Sequence, residues 1–252
     1  MKAVITGASS GLGRDFALLL CKRGYEVYAV ARREDRLNAL KSEAGEKLIP
    51  IVLDLSAEEG CKTLCDAVKN EKIDILINNA GFGAFGAFTE IPLEREMQLL
   101  DINVRAVHIL TKLFVKKMLE DGSGRILNVA SSAGFMMGPM LSAYYASKAY
   151  VLRLTQAVDE EVRRKNPRVR LSVLCPGPVK TEFDAVAEVK FSLKGLDSRF
   201  VADYALKKLS AGKRVIIPGF TMKLLIFMTR FVPQGLLSKI TYHAQKKKGD
   251  AA

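Results

Sequence analysis

The sequence of 252 residues lacks tryptophan and has only two histidines, His108 and His243. A metal centre built from several histidines is therefore not expected. Its four cysteines are irregularly spaced, which excludes the disulfide framework of a small secreted domain. Cys61 and Cys65 would share one face of a helix, and we interpret them as small buried apolar residues. This cysteine usage favours a reducing, cytoplasmic setting.

Long apolar runs are also absent. No stretch of about 18 apolar residues occurs, so we expect no membrane-spanning helix. The apolar start, residues 3–5, ends at Thr6 and is soon followed by Arg14 and Asp15, which argues against a signal peptide. Apolar residues make up 49% and charged residues 26% of the chain, as in ordinary globular proteins. Disordered, collagen-like and coiled-coil chains are thereby excluded.

Acidic residues are scarce beside basic ones, with 27 against 39 and a net charge of +12. Such a balance suggests nucleic acid, an anionic membrane surface or an acidic ligand as partner. Residues 213–252 hold eight basic residues and one acid, a net charge of +7. The excess is therefore concentrated near the C-terminal end. We expect no nucleic-acid partner, because no binding motif or aromatic stacking platform is recognisable.

Short apolar runs alternate with helical periodicity along the chain. The predicted strands are residues 3–6, 27–31, 49–53, 73–78, 125–130, 169–175 and 215–217. The predicted helices are residues 12–23, 34–43, 57–70, 93–119, 143–165 and 198–211. This alternation predicts an α/β fold, a doubly wound parallel sheet of about seven strands between helices, with its ligand site at the carboxyl ends of the strands. We expect one domain that carries this site over residues 1–219 and a basic amphipathic helical extension over residues 220–252.

Two local signals predict where helices begin or end. Ser56, followed three residues later by Glu59, is typical of a capping box and predicts the start of the third helix. Gly24 stands where a glycine usually ends a helix, directly after the first helical pattern.

A glycine-rich loop follows the first predicted strand. Gly7, Gly11 and Gly13 give the spacing G-x-x-x-G-x-G, between a strand and a helix. Glycines permit a tight turn, and the free N–H groups of a helix N-terminus bind phosphate. In this context the loop predicts dinucleotide binding rather than an ordinary structural turn.

Two arginines, Arg32 and Arg33, follow the second predicted strand, where no acid stands before Glu34. An acid at this place would bind the ribose hydroxyls of NAD, whereas an arginine pairs with the 2′-phosphate of NADP. The sequence therefore predicts a preference for NADP(H). A solvated basic turn is the alternative.

Tyr144 and Lys148 are four residues apart and share one face of a predicted helix. An ammonium beside a phenol lowers the phenol pKa, so the pair can act as general acid and base. Tyr145 is a competing candidate. Ser131 follows a predicted strand and can donate a hydrogen bond to a substrate carbonyl, but Ser132 stands beside it.

These motifs together resemble the short-chain dehydrogenase/reductase superfamily, over roughly residues 1–220. The loop from Thr6 to Gly13 and the Asn78-Asn79-Ala80-Gly81 segment match its motifs. Ser131 lies thirteen residues before Tyr144 and three before Gly134, as the serine of the family does, whereas Ser132 does not. The resemblance implies a cofactor site formed by Gly7, Ser9, Ser10, Gly11, Leu12, Gly13, Arg32, Arg33, Asp54, Leu55, Asn79, Gly81, Tyr144, Lys148, Pro176, Gly177, Val179 and Thr181.

The resemblance also implies a mechanism, with Asn103, Ser131, Tyr144 and Lys148 as the catalytic residues. Ser131 and Tyr144 contact the substrate, Lys148 holds the nicotinamide ribose and lowers the pKa of Tyr144, and Asn103 anchors a water. The implied activity is NADP(H)-dependent interconversion of a ketone or aldehyde with an alcohol, by a homodimer or homotetramer. A non-catalytic dinucleotide-binding sensor or scaffold is the alternative.

The sequence leaves open which apolar loop residues contact the substrate. Two apolar groups either wall a substrate pocket or pack as ordinary loop residues; they are Phe82, Phe85, Phe88, and Met136, Met137, Pro139, Met140, Leu141. Together with the tail, they favour a hydrophobic substrate such as a steroid, a 3-oxoacyl chain or a long-chain carbonyl.

The tail itself has two apolar helical stretches separated by Pro233, with Lys223, Arg230 and Lys239 among them. A basic amphipathic helix pair is typical of a membrane-surface element. A lid over the active site and a subunit contact are equally open. We therefore expect a cytoplasmic protein, with peripheral membrane contact through the tail as one of three alternatives.

Overall fold

The structure, a computed structural model, describes residues 1–182 and 195–249, without the side chains of residues 247–249. Seven strands form one sheet: β1 (Lys2–Thr6), β2 (Glu26–Ala31), β3 (Leu48–Val52), β4 (Ile75–Asn78), β5 (Gly124–Val129), β6 (Val169–Leu174) and β7 (Val215–Ile216). All seven predicted strands are present, each within two residues of the expected bounds.

The helices lie between and after the strands. They are α1 (Gly11–Lys22), α2 (Glu34–Ala44), α3 (Glu58–Ala67), α4 (Leu93–Leu100), α5 (Val107–Glu120), α6 (Ser142–Lys165), α7 (Ser198–Ser210), α8 (Phe220–Met228) and α9 (Gln234–Gly249). The last two are the predicted tail helices, and Pro233 lies between them.

The sheet has the order β3-β2-β1-β4-β5-β6-β7, and every neighbouring pair is parallel. The chain leaves β1 toward one edge of the sheet and returns to the other side of β1 at β4. This reversal creates a crevice at the carboxyl ends of β1 and β4, where doubly wound sheets bind ligands. The predicted α/β fold is confirmed.

The continuous apolar character of the strands comes from burial on both faces. In β1, Ala3 and Ile5 pack in the layer that contains Phe16 of α1. Val4, between them, faces the opposite layer, which contains Phe114 of α5. Because both layers are covered by helices, neither face of the central strands needs polar residues.

One helix start and one long helix differ from expectation. The capping box at Ser56 is wrong: Ala57 is the residue before α3, and the Ser56 N–H instead donates to Asp54 Oδ1 at 2.9 Å. The predicted helix 93–119 contains a π-helical segment, Asp101–Ala106, between α4 and α5. The predicted glycine end of α1 is confirmed, since Gly24 follows Arg23 with φ +89°.

The tail helices contact the body of the molecule at a few points. Met222 of α8 packs over Gly177, where an added Cβ would lie 2.4 Å from its methyl carbon. Lys223 donates to the Tyr204 hydroxyl at 3.2 Å, and Ile226 is buried. Among the described helices, none combines the length and apolar character that crossing a bilayer requires.

Candidate active site

A cleft of about 570 Å³ opens at the carboxyl ends of the central strands. Most of the predicted site residues line it: Gly7, Ser9, Ser10, Gly11, Leu12, Arg32, Arg33, Asp54, Leu55, Asn79, Gly81, Ser131, Tyr144, Lys148, Pro176, Gly177, Val179 and Thr181. Gly13 and Asn103 lie behind this lining, where Gly13 packs against Gly7 and Asn103 bonds to the backbone of Phe82. Residues from seven separate stretches of sequence thus meet at one crevice.

The glycine-rich loop forms one end of the cleft. Gly7 has φ +67° and Gly11 has φ +51°, a left-handed conformation that favours glycine. At Gly13 an added Cβ would lie 2.1 Å from the carbonyl oxygen of Gly7, so the helix can pack on the turn only without a side chain there. The first turn of α1 carries no acid. The helix N-terminus therefore offers an anion a favourable site.

Asn79 ties the end of β4 to this loop. Its side-chain Nδ2 donates to the carbonyl oxygens of Thr6 and Gly7, at 3.0 and 3.2 Å. The Thr6 hydroxyl accepts in turn from the Asn79 N–H and the Ala80 N–H, each at 3.0 Å. These bonds join the ends of β1 and β4, where the strand order reverses, and so fix the floor of the cleft.

The two arginines after β2 lie in different settings. The Arg33 guanidinium donates to Ser9 Oγ at 3.0 Å and Ser10 Oγ at 3.1 Å, so it lies against the glycine-rich loop. It also forms an ion pair with Glu182 at 3.4 Å. The Arg32 side chain is 73% exposed, and its guanidinium is 3.8 Å from Asp54. Arg33 is thus the better placed cation for a phosphate at this end.

Ser131, Tyr144 and Lys148 meet at the other end of the cleft. The Ser131 and Tyr144 side chains are hydrogen-bonded to each other. Ser131 Oγ also accepts from the Ala133 N–H at 3.2 Å, which fixes the short helical turn after β5. Lys148 Nζ donates to the carbonyl oxygen of Val129 at 3.0 Å and lies 5.7 Å from the centre of the Tyr144 ring.

Burial dominates the proton affinities of this group. It raises the pKa of Tyr144, and the hydrogen bond with Ser131 only partly offsets the rise. Burial also lowers the pKa of Lys148 to about 8, although the nearby Cys175 acts in the opposite direction. The expected lowering of the Tyr144 pKa by Lys148 is therefore wrong for this structure, because both groups are buried and the ammonium itself is destabilised.

Asn103 supports the cleft from behind, in the π-helical segment. It accepts from the Phe82 N–H at 3.1 Å and donates to the Phe82 carbonyl at 2.9 Å and to Ser147 Oγ at 3.2 Å. An added Cβ on Gly81 would lie 2.6 Å from Asn103 Oδ1 and 3.5 Å from Lys148 Nζ. Gly81 therefore leaves open the space between these two polar groups.

Tyr145, the competing tyrosine, has a different partner. Its hydroxyl accepts from Nε2 of Gln245 in α9 at 2.7 Å. Its ring packs over Gly138, where an added Cβ would approach within 2.3 Å. Tyr145 therefore forms part of the cleft wall and joins it to the tail. No sequence pattern indicates this contact, because the two residues are 100 positions apart.

Of the apolar residues that the sequence suggested for the substrate pocket, some line the cleft and others do not. Phe82 and Leu141 line the cleft, Phe85 packs beside them, and Phe88 is 66% exposed. Met136, Met137, Pro139 and Met140 are not among the cleft-lining residues. A lining residue that the sequence did not reveal is Arg95 of α4, whose guanidinium carbon lies 4.2 Å from the Phe82 ring centre.

The residues present fit a nicotinamide dinucleotide. An anion-binding helix N-terminus and Arg33 stand at one end of the cleft, and a hydrogen-bonded serine, tyrosine and buried lysine stand at the other. Asn79 and the glycines shape the floor between them without intruding side chains. Such a cleft can hold a long anionic ligand and present its far end to polar groups that hold protons.

Comparison with known proteins agrees with this geometry. The short chain dehydrogenase family model matches residues 1–190. A very-long-chain 3-oxoacyl-CoA reductase from Mycosarcoma maydis is 34% identical over 178 residues, which cover 67% of this chain and 51% of that protein. The chain thus corresponds to about half the length of this relative.

Two solved structures are also similar. A short-chain dehydrogenase from Sphingobium yanoikuyae in complex with NADPH has a TM-score of 0.83 and 28% identity, over 94% of this chain and 95% of that one. A short chain dehydrogenase/reductase from Burkholderia phymatum in complex with NAD has a TM-score of 0.82 and 25% identity, over 89% of this chain and 91% of that one. The chain therefore belongs to the short-chain dehydrogenase family of oxidoreductases.

Proposed function

We propose that the protein is an NADP(H)-dependent oxidoreductase that interconverts a ketone or aldehyde with the corresponding alcohol on a hydrophobic substrate. The observation that carries the proposal is the meeting of Ser131, Tyr144 and Lys148 at one end of a cleft whose other end holds Arg33. A scaffold that only binds a dinucleotide has no need of this polar group.

Tyr144 acts as the proton donor during reduction. Burial raises its pKa, so its Oη holds a proton at neutral pH and can give it to the oxygen that develops negative charge. Ser131, hydrogen-bonded to the same phenol, orients the carbonyl oxygen of the substrate and stabilises the charge that forms there. The chemistry supplied by a bound nicotinamide dinucleotide is hydride transfer.

Lys148 and Asn103 support that step. The Lys148 ammonium is anchored on the Val129 carbonyl and would hold the ribose hydroxyls at this end of the cofactor. Asn103 fixes the Phe82 backbone and stands next to the space that Gly81 leaves open, where a water can connect it to Lys148.

Arg33 supports the preference for NADP(H) over NAD(H). Its guanidinium lies against Ser9 and Ser10 and is suited to bidentate binding of a 2′-phosphate. Both NADPH and NAD occur in the similar solved structures, so this preference rests on the arginine itself.

The substrate class follows from the cleft wall beside Tyr144. Phe82, Leu141 and Tyr145 present apolar surface there, as a steroid, a 3-oxoacyl chain or a long-chain carbonyl requires. Similarity to a very-long-chain 3-oxoacyl-CoA reductase supports the same class. The direction of reaction in a cell follows the ratio of reduced to oxidised cofactor.

We also propose assembly as a homodimer or homotetramer through the outer faces of α5 and α6. Leu113 and Tyr150 on these helices are 37% and 39% exposed. Sedimentation of Leu113→Glu should show a smaller species than the unmodified protein. An unchanged sedimentation coefficient would place the contact elsewhere.

A panel of carbonyl substrates tests the proposed activity. Purified protein is mixed with NADPH and ketones or aldehydes of increasing chain length, and the absorbance of the reduced nicotinamide is followed. The proposal predicts turnover that rises with apolar chain length and is far weaker with NADH. Tight NADPH binding without turnover on any member of the panel would favour the dinucleotide-binding scaffold instead.

A further inference from the structure

The tail helices expose apolar side chains to solvent instead of burying them. Phe220, Leu224 and Phe227 of α8 are 80%, 49% and 50% exposed, and Phe231 in the turn after it is 67% exposed. Phe220, Leu224 and Phe227 are four and three residues apart, so their side chains share one face of α8. The Phe231 ring contacts the Phe227 ring, with 5.2 Å between the ring centres. Ile226, on a different side of α8, is the residue of this helix that is buried against the body.

The second tail helix repeats the arrangement. Leu236 and Ile240 of α9 are 53% and 52% exposed and lie one turn apart. On the opposite side of α9, Gln245 is buried and donates to Tyr145 in the cleft wall. The apolar faces of both helices therefore point away from the cleft, which argues against a role as a lid over it.

Basic residues surround this surface and acids are missing from it. Lys223 of α8, Arg230 in the turn after it, and Lys239 and Lys246 of α9 are all exposed. The sequence contains no acidic residue from position 204 to position 249. We call the exposed apolar residues Phe220, Leu224, Phe227, Phe231, Leu236 and Ile240, together with these four basic residues, the tail surface.

Charge decides between the two occupants that such a surface can have. A second copy of this chain would bring a tail of net charge +7 against another of the same charge. An anionic bilayer instead supplies the negative charge that the tail lacks and an apolar layer for the aromatic and aliphatic side chains. We propose that the tail surface docks the protein on an anionic membrane surface, with α8 and α9 lying in the plane of the interface.

Docking through the tail surface would also determine where the catalytic cleft lies relative to the bilayer. Gln245 and Met222 connect the docked helices to Tyr145 and Gly177, which line the cleft. Docking would therefore hold the cleft next to the bilayer. This inference stands apart from the proposed oxidoreductase activity, because it is carried by the tail alone.

Vesicle co-sedimentation tests the docking directly. The full chain is mixed with vesicles of phosphatidylcholine alone or of equimolar phosphatidylcholine and phosphatidylglycerol. We expect the protein to pellet with the mixed vesicles and to stay in the supernatant with the neutral ones. Raised salt should release it, because screening weakens attraction to an anionic surface.

Two sets of variants locate the contact. The triple change Arg230→Gln, Lys239→Gln, Lys246→Gln should weaken binding about a hundredfold, since each basic residue near an anionic surface contributes roughly fivefold. The matched control, Lys47→Gln, Lys72→Gln, Lys165→Gln, removes the same charge from exposed sites elsewhere and should change binding far less.

Phe231→Gln should weaken binding about tenfold, because the glutamine has no phenyl group to bury in the apolar layer of the bilayer. Phe88→Gln, at 66% exposure against 67% for Phe231, is its control outside the tail. Without vesicles, the tail variants should reduce a water-soluble carbonyl as fast as the unmodified protein does. Such turnover would show that the variants at Arg230, Lys239, Lys246 and Phe231 are folded.

Three outcomes would overturn the proposal. One is the absence of the protein from every vesicle pellet, and another is a loss of binding by the control variants as strong as that of the tail variants. A tail surface that serves as a subunit contact would instead show a smaller sedimentation coefficient for Phe231→Gln with no lipid binding by either protein. Failure of the carbonyl panel, by contrast, would leave vesicle binding unchanged and would count only against the proposed activity.

Discussion

The hydroxyl of Tyr145 accepts a hydrogen bond of 2.7 Å from Nε2 of Gln245, whereas the neighbouring Tyr144 is hydrogen-bonded to Ser131. Two adjacent tyrosines on one helix therefore belong to different parts of the cleft. One completes the wall between cleft and tail, and the other joins the group of polar residues at the end of the cleft. This division is the structural basis for assigning the proton-donor role to Tyr144.

The pH dependence of activity should report on Lys148. Burial lowers the pKa of Lys148 to about 8, so in the free enzyme its positive charge is present below that pH and lost above it. The value of kcat/KM for NADPH should therefore fall, approaching tenfold per pH unit, as the pH rises above about 8. Steady-state rates measured in overlapping buffers across this range check the prediction.

Lys148→Arg provides the control for that profile. A guanidinium stays charged throughout the accessible range, so the variant should be slower but should lose the decline above about pH 8. A flat profile in the unmodified protein, or the same decline in Lys148→Arg, would exclude Lys148 as the titrating group.

Cofactor preference should depend on Arg33. Arg33→Ala removes a charged partner of the 2′-phosphate and should raise the KM for NADPH about tenfold, with little change for NADH. Arg36→Ala is the matched control, because Arg36 pairs with the same Glu182, at 2.5 Å, but is not among the cleft-lining residues. Equal losses with both cofactors, or equal effects of the two variants, would contradict the assignment.

Stability should depend on Asp159, a fully buried carboxylate of α6. Burial opposes its charge, but bonds from Arg170, the Leu171 N–H and Arg214 outweigh that and lower its pKa. Asp159→Asn should reduce the free energy of unfolding by about 2–4 kcal/mol at neutral pH, as measured by urea unfolding.

The pH dependence of that effect has a definite sign. Because the folded pKa of Asp159 is lowered, its contribution is present above the unfolded value of about 3.9 and is lost as the pH falls through the folded value. The difference between the unmodified protein and Asp159→Asn should therefore shrink in acid. Equal stabilities at neutral pH would show that the three bonds only balance the cost of burial.

Much of the fold could be predicted because burial on both faces makes each strand an apolar run. Val4 and Ile5 face opposite layers, yet both must be apolar, and the same holds along the other central strands. The glycine-rich loop was equally informative, since Gly13 packs directly on the carbonyl of Gly7. Such constraints act between residues close in sequence, where a pattern can reveal them.

The features that sequence reasoning missed depend on distant contacts or on burial. Helical periodicity continues through Asp101–Ala106 and does not reveal its π-helical geometry. The Tyr145–Gln245 bond joins residues 100 positions apart. The raised pKa of Tyr144 depends on how deeply the fold buries it, which the four-residue spacing to Lys148 cannot show.

The proton-donor role of Tyr144 is tested by comparing Tyr144→Phe with Tyr145→Phe. NADPH-dependent reduction of the best carbonyl is measured for both variants, and NADPH binding is measured by titration. We expect Tyr144→Phe to lose at least about a hundredfold in kcat while it still binds NADPH, because the substitution removes the hydroxyl group that transfers the proton. Tyr145→Phe should keep most of its turnover. Near-normal turnover in Tyr144→Phe, with loss in Tyr145→Phe, would exclude Tyr144 as the proton donor.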